Sequence, residues 1–205
     1  MLDELYGDES PALLSRVLGA VERSLAGRDP VLFDRDLQRE ADPHWYQRPD
    51  QVGYVCYVDL FAGTLPAIAE HIPYLRDLGV TYLHLMPLLR PREGESDGGY
   101  AVSAYDEVDP RLGTMDDLRR LAADLHAAGI SLCIDVVVNH TAAEHPWAVA
   151  ARAGDPVARA RYHFFPDRTM PDRYERTLRE VFPAFAPGNF TWDDDLRGWV
   201  WTTFN

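Results

Sequence analysis

The sequence predicts an α/β protein organised around a parallel sheet, and three observations support this. Residues 132–138 are apolar except for Asp135, a pattern typical of a strand that is buried on both faces. Residues 54–59 and 80–85 are two further strand-like runs. The order of helix end, glycine and buried strand occurs twice, at 75–83 and at 125–133, which indicates repeated βα units. This pattern leaves a closed barrel and an open sheet as alternatives.

Residues 1–51 are predicted to be a separate helical segment. Ser10 is expected to cap a first helix, with Pro11 at its first position, and Gly27 is expected to end it. Asp29 and Pro30 give a second helix the same kind of start. The apolar face of the first helix comprises Leu13, Leu14, Val17, Leu18, Val21 and Leu25. Nothing in this segment indicates chemistry.

The next segment, residues 52–140, is predicted to hold three βα units. A helix is expected over 64–78 with a kink at Pro73, and a loop over 90–113. Thr114 and Asp117 have the spacing of a capping box and predict the start of the next helix. After His140 the alternation stops, and residues 141–205 are rich in proline and tryptophan, which predicts an irregular insertion on the ligand side of the third strand.

Composition limits the classes of function. The 205 residues include 33 Asp and Glu against 20 Lys and Arg, a net charge of -13, which disfavours nucleic acid and anionic membranes as partners. No signal peptide, membrane helix or glycine-rich nucleotide loop is expected from the sequence. Cys56 and Cys133 lie in strand-like runs and are predicted to be buried free thiols, which fits a cytoplasmic protein.

Polar side chains interrupt and follow the run at 132–138. Asp135 is costly to bury unless it has a partner, and Asn139 and His140 come directly after the run. Ligands of parallel α/β proteins bind at the carboxyl ends of the strands. The sequence therefore places a carboxylate, an amide and an imidazole where a ligand site is expected.

These residues also carry a resemblance to a known family. Residues 135–140 (DVVVNH) resemble the first signature of the α-amylase superfamily, glycoside hydrolase family 13. Residues 99–105 (GYAVSAY) and 108–114 (VDPRLGT) resemble the loop that follows the second strand in that family. Four segments are similar to the amylosucrases within it: 56–63 (CYVDLFAG), 96–103 (SDGGYAVS), 165–168 (FPDR) and 199–205 (WVWTTFN).

The resemblance implies a fold and an activity. It implies the amino-terminal part of a TIM (β/α)8 barrel: a helical prefix over 1–51, the first three βα units over 52–140, and the start of an irregular B-domain-like insertion over 141–205. It implies a retaining glucosyltransferase that passes glucose from sucrose to an α-1,4-glucan, a maltooligosaccharide or water. The nucleophile and the acid/base carboxylate are expected beyond Asn205, so the 205-residue chain alone is expected to be inactive.

Two other interpretations stay open. One is an α-amylase or a sucrose hydrolase, and the other is a non-catalytic carbohydrate-binding remnant. The oligomeric state is not predicted.

The resemblance also implies roles for individual residues. His140 is expected to contact the glucosyl ring, Asp97 to bind a sugar hydroxyl and Tyr100 to offer its ring to the sugar. Their alternatives are a core histidine, an ordinary turn residue and a loop-packing residue. Arg179 and Phe182 match an acceptor-side segment.

The remaining candidates are assigned more to structure. Phe204 matches an aromatic residue of the pocket wall, with core packing as its alternative. Asp135 and Asn139 are expected to be structural at the strand end. In calcium-binding amylases the residue matching Asn139 ligates the metal, but no cofactor is expected for this chain. His84 and His145 are assigned to structure alone.

Overall fold

The computed structural model describes residues 2–184 and 186–202, and the chain divides into two compact units, residues 1–51 and 52–205. The first unit contains the helices α1 (Leu2–Tyr6), α2 (Ser10–Ala26) and α3 (Pro30–Ala41), with short 3-10 turns at Gly7–Glu9 and Trp45–Gln47. The apolar side chains of α2 from Leu14 to Leu25 are between 44% and 56% exposed.

The two predicted helix starts of this unit have different outcomes. Asp29 caps α3 as predicted, because its carboxylate accepts a hydrogen bond of 2.8 Å from the Val31 amide. The prediction for Ser10 is wrong: Ser10 is the first residue of α2, and its hydroxyl donates to the Asp3 carboxylate rather than capping the helix.

The second unit is built on a parallel three-stranded sheet in the order β1 (Gly53–Cys56), β2 (Tyr82–Leu85) and β5 (Ser131–Ile134). Four helices connect these strands: α4 (Val58–Phe61), α5 (Leu65–Glu70), α6 (Ile72–Asp77) and α7 (Met115–Ala127). The capping box of α7 is present as predicted, with Thr114 and Asp117 bonded in both directions. The predicted helix over 64–78 is divided into α5 and α6, because Pro73 lies in the first turn of α6.

One face of this sheet packs on the helices. Leu83 and Leu85 of β2 are fully buried there, and Leu132 and Ile134 of β5 pack against the same core. Strand register places Val55, His84 and Cys133 in one row on the opposite face, where Val55 is 59% exposed. Both cysteines are free, as predicted, but each is half-buried rather than buried.

The strand predicted over 132–138 ends early, and its predicted burial on both faces is wrong. β5 stops at Ile134, Val136 is 56% exposed and Val138 is 87% exposed. Within residues 2–184 and 186–202, β5 is hydrogen-bonded to β2 alone, so the chain leaves the sheet once that pairing ends. The strand predicted over 54–59 is also shorter, because α4 begins at Val58.

The segment predicted as a loop over 90–113 contains regular structure. β3 (Leu89–Pro91) and β4 (Val102–Val108) form an antiparallel pair, joined through a 3-10 turn at Asp97–Gly99. Val102 and Val108 are buried and contribute to the core, which is the physical reason that the segment folds onto the sheet.

The segment after His140 is also more regular than predicted. It contains α8 (Pro146–Arg152), α9 (Pro156–Arg159) and α10 (Thr169–Glu175), and the strands β6 (Phe164–Phe165), β7 (Phe190–Asp193) and β8 (Gly198–Trp201). The three strands pair antiparallel in the order β6, β8, β7. Rings of Phe165, Tyr174, Phe190 and Trp201 lie 5.5–6.3 Å apart and form the core of this layer. In the part of the chain that the structure describes, no helix has the length and apolar character to cross a membrane.

Candidate functional site

A cavity of about 1610 Å³ lies beyond the carboxyl end of β5, where residues 138–143 line it. Four of the side chains predicted to form a site lie on its wall: Asp97, Asn139, His140 and Phe182. The segment after His140 also lines the cavity, with Trp147, Tyr162, Trp192 and Trp201 among its side chains. The cavity thus combines polar groups from the strand ends with aromatic side chains from the segment that follows.

Asp97 is held in a turn that packs against the ends of two strands. Asp97, Gly98 and Gly99 all have positive φ, at 52°, 65° and 94°. A Cβ atom on Gly98 would lie 3.1 Å from the Tyr57 hydroxyl, and one on Gly99 would lie 3.1 Å from the Pro87 ring. Because Tyr57 follows β1 and Pro87 follows β2, the two glycines allow the turn to lie on the strand ends, with Asp97 exposed.

Asp135 has the partners that its burial requires. Its Oδ1 atom lies 2.8 Å from His84 Nε2, and its Oδ2 atom accepts a hydrogen bond of 3.0 Å from the Tyr100 hydroxyl. Burial, followed by the hydrogen bond to Asp135, raises the pKa of Tyr100 to about 12. Tyr100 therefore stays protonated at neutral pH and remains a hydrogen-bond donor to the carboxylate.

His140 is positioned through its own backbone. The Tyr105 hydroxyl lies 2.6 Å from the Val137 carbonyl oxygen and 3.1 Å from the His140 carbonyl oxygen, so it ties down the segment between β5 and His140. The Asn139 side-chain nitrogen lies 3.4 Å from His140 Nδ1. Tyr105 was missed as a candidate, although it ends the motif over 99–105 and lies on β4.

His145 has a structural role beside this site, because it caps the start of α8. It is 5% exposed, and its Nδ1 atom accepts a hydrogen bond of 3.1 Å from the Trp147 amide at the start of α8. Burial, followed by the positive charge of Arg161, lowers the pKa of His145. Its ring also packs against that of Tyr105, with centroids 5.5 Å apart. The neutral imidazole thus links the aromatic wall to Tyr105.

The structure separates the predicted site residues into groups. Tyr100 and Asp135 are joined to each other rather than lining the cavity. Phe182 lines the cavity and is 44% exposed, but Arg179 is an exposed side chain outside the lining. Phe204 lies outside the described residues.

Asn139 lies beside His140 in the cavity lining. Residues 2–184 and 186–202 contain no group of three or more His, Cys, Asp and Glu side chains that could hold a metal. The chemistry that this cavity supports is therefore hydrogen bonding from Asp97, Asn139 and His140 beside aromatic rings, an arrangement suited to a neutral ligand with many hydroxyl groups.

Comparison with known proteins agrees with this chemistry. The family model for the alpha amylase catalytic domain matches residues 30–203. Trehalose synthase from Thermus thermophilus is 31% identical over 170 residues, which cover 80% of this chain and 17% of the relative. Palatinase from Erwinia rhapontici is 38% identical over 116 residues, which cover 53% of this chain and 20% of the relative.

Solved structures are also similar to this chain in fold. A mutant of MutB in complex with the substrate sucrose has a TM-score of 0.65 at 27% identity, covering 80% of this chain and 29% of that one. A protein described as a family GH13_31 enzyme has a TM-score of 0.64 at 30% identity, covering 78% of this chain and 30% of that one. The chain spans less than a third of the length of these relatives.

Proposed function

The chain belongs to the α-amylase family, and we propose that it supplies the part of the substrate site that binds the glucosyl ring in a retaining enzyme acting on α-glucosides. The observation that carries this proposal is the placement of Asp97, Asn139 and His140 in the lining of one cavity, with Asn139 and His140 following β5. Tyr100 belongs to the same turn as Asp97, because its amide donates to the Asp97 carbonyl.

Each side chain has a role in this proposal. His140 donates a hydrogen bond to a sugar hydroxyl, and the exposed Asp97 carboxylate accepts one. Tyr100 does not line the cavity, so in this proposal it acts on the sugar through the Asp97 turn, while its hydroxyl stays on Asp135. A neutral sugar is compatible with a chain of net charge -13, which would repel an anionic substrate.

We further propose sucrose as the glucosyl donor and an α-1,4-glucan, a maltooligosaccharide or water as the acceptor, as in amylosucrase. The motifs over 56–63, 96–103, 165–168 and 199–205 support this choice, as does the similarity to a MutB structure that contains sucrose. Retaining enzymes use two carboxyl groups about 5 Å apart. The proposal assigns these two groups to parts of the polypeptide outside the 205 residues, so we expect no sucrose turnover by this chain alone.

A second candidate is the synthesis of a disaccharide from another α-glucoside. Two curated relatives, from Thermus thermophilus and from a Pimelobacter strain, are trehalose synthases, and their alignments cover 80% and 91% of this chain. This candidate uses the same glucosyl site and differs in the acceptor. The acceptor side therefore has to be decided by product analysis.

The glucosyl-site proposal is tested by measuring the binding of sucrose and of maltose to the 205-residue chain by saturation-transfer NMR. We expect both sugars to show saturation transfer through the glucosyl ring, and His140→Ala and Asp97→Ala to weaken binding about tenfold, because each removes a hydrogen bond to the sugar. Glu93→Gln is the matched control, since Glu93 is exposed and outside the cavity lining. Equal binding by all variants, or no binding by the parental chain, would contradict the proposal.

The reaction is tested on a longer polypeptide that contains these residues together with the catalytic carboxylates. Incubation with sucrose alone and with added maltooligosaccharide separates the candidates. Growth of the glucan identifies an amylosucrase, free glucose and fructose identify a hydrolase, and a sucrose isomer identifies a disaccharide synthase.

A further inference from the structure

We propose that His84 is a positioning residue for the glucosyl site, and that it acts on Tyr100 and Asp97 through the Asp135 carboxylate. This inference rests on the proposed function, because it gives His84 a role in binding the same sugar. The observation behind it is the continuous contact from β2 to Asp135 and on to Tyr100.

Strand geometry brings His84 and Asp135 together. His84 lies opposite Cys133 in the parallel pairing of β2 and β5. Asp135 directly follows β5, and its Oδ1 atom lies 2.8 Å from His84 Nε2, so its side chain is on the same side of the sheet as His84. This is the face that the helical core does not cover, and the side chains of His84 and Asp135 are 30% and 24% exposed.

The contacts fix the donor atoms on both sides of the carboxylate. An ionised carboxylate can only accept hydrogen bonds, so His84 must carry a hydrogen on Nε2. Tyr100 donates to the second oxygen, and its raised pKa keeps that hydrogen in place. Each carboxylate oxygen thus has a separate donor, and the orientation of Asp135 is set from both sides.

The network extends from Tyr100 to the predicted sugar-binding carboxylate. The Tyr100 amide donates to the Asp97 carbonyl at 3.2 Å, and the Ala101 amide donates to the Ser96 carbonyl at 3.0 Å, so Tyr100 is part of the Asp97 turn. Loss of the His84 hydrogen bond would leave Asp135 free to rotate away from Tyr100. We therefore expect the Tyr100 ring and the Asp97 turn to adopt more than one conformation.

The direct test uses NMR of the chain labelled at tyrosine and histidine to observe the Tyr100 ring resonances and the His84 tautomer. The Tyr100→Phe variant assigns the Tyr100 resonances. We expect the Nε2–H tautomer at His84. We expect His84→Ala to shift the Tyr100 ring resonances and His84→Gln to restore them, because the glutamine amide reaches the position of Nε2. His84→Asn, whose amide reaches the position of Nδ1 instead, should behave like His84→Ala.

The second readout is the dissociation constant for sucrose. We expect His84→Ala to raise it about fivefold and His84→Gln to keep it within about twofold of the parental value, on the scale of one ordinary hydrogen bond. His44→Ala is the matched control, because His44 is an exposed histidine of the first unit. In a double-mutant cycle, His84→Ala should add little once Tyr100 is replaced by alanine.

These readouts separate two kinds of failure. An unchanged Tyr100 resonance in His84→Ala, or equal perturbation by alanine and glutamine, would overturn the role of His84. If the parental chain binds no sucrose, the proposed function fails, and the Tyr100 resonances still decide whether His84 positions that ring. If His84→Ala does not fold, the comparison of His84→Gln with His84→Asn gives the same decision.

Discussion

The Tyr105 hydroxyl gives the most direct test of how the segment before His140 is held. Its 2.6 Å hydrogen bond to the Val137 carbonyl and its 3.1 Å approach to the His140 carbonyl share one hydrogen, so they count as one interaction. Tyr105→Phe removes that hydrogen and leaves the ring. An ordinary hydrogen bond stabilises a fold by about 1 kcal/mol, and the half-buried Val137 carbonyl adds at most about 1 kcal/mol when it is left unpaired. We therefore expect a loss of about 1–2 kcal/mol in the free energy of unfolding.

The measurement is urea denaturation followed by tryptophan fluorescence and by circular dichroism, with coincident transitions and an unchanged slope as the check on two-state behaviour. Tyr54→Phe is the matched control: the Tyr54 ring packs in the core beside Phe61, and within the described residues no hydrogen bond of its hydroxyl is present. Its cost should stay below about 0.5 kcal/mol. Equal stability changes in the two variants would show that the hydroxyl of Tyr105 does not hold this segment.

Three further predictions concern the elements around the site. Gly99→Ala should lower the free energy of unfolding in urea by about 1–3 kcal/mol, because φ at this position is 94° and the added Cβ would lie 3.1 Å from the Pro87 ring. Gly94→Ala is the control and should cost less, because φ is 77° there and nothing lies within 4 Å of the added Cβ. The lowered pKa of His145 means that its contribution to stability is present above about pH 6.5 and is lost as the pH falls through its folded-state value. His145→Asn keeps an acceptor at the start of α8 and cannot titrate, so it should flatten the fall in unfolding free energy between pH 7.5 and 5, and an unchanged slope would refute this assignment. Thr114→Ala removes the cap of α7 and should cost about 1 kcal/mol in the same assay, while a cost near zero would mean that the capping box contributes nothing.

Local signals in the sequence were sufficient for much of the fold. The βα alternation predicted the parallel strands β1, β2 and β5, because apolar strands buried against helices leave a periodic pattern. The caps at Asp29 and Thr114 were predicted because each depends on atoms within three residues. Pro73 predicted the break between α5 and α6 for the same reason.

Features that depend on distant contacts were not predictable in this way. The segment of β3 and β4 was predicted to be a loop because it shows no regular alternation of apolar and polar residues. The structure explains this, because the pairing of the two strands has shifts in register and β3 includes a proline. The sequence indicated that Asp135 needs a partner, but not that His84, 51 residues away, is that partner. The end of β5 at Ile134 was missed because Val136 and Val138 continue the apolar pattern after the pairing with β2 has ended.

The polar side chains at the strand ends divide into two physical classes. Tyr100 and Asp135 satisfy each other, with His84 on the remaining carboxylate oxygen, so their hydrogen bonds are complete before any ligand enters. Asp97 and Asn139 are exposed on the cavity wall, where water is their main competitor for a ligand. A preformed network costs little reorganisation when a sugar binds, whereas exposed groups can exchange water for sugar hydroxyls. The carboxylate inside an apolar run therefore has its cost of burial offset within the protein, by the hydroxyl of Tyr100 and the imidazole of His84.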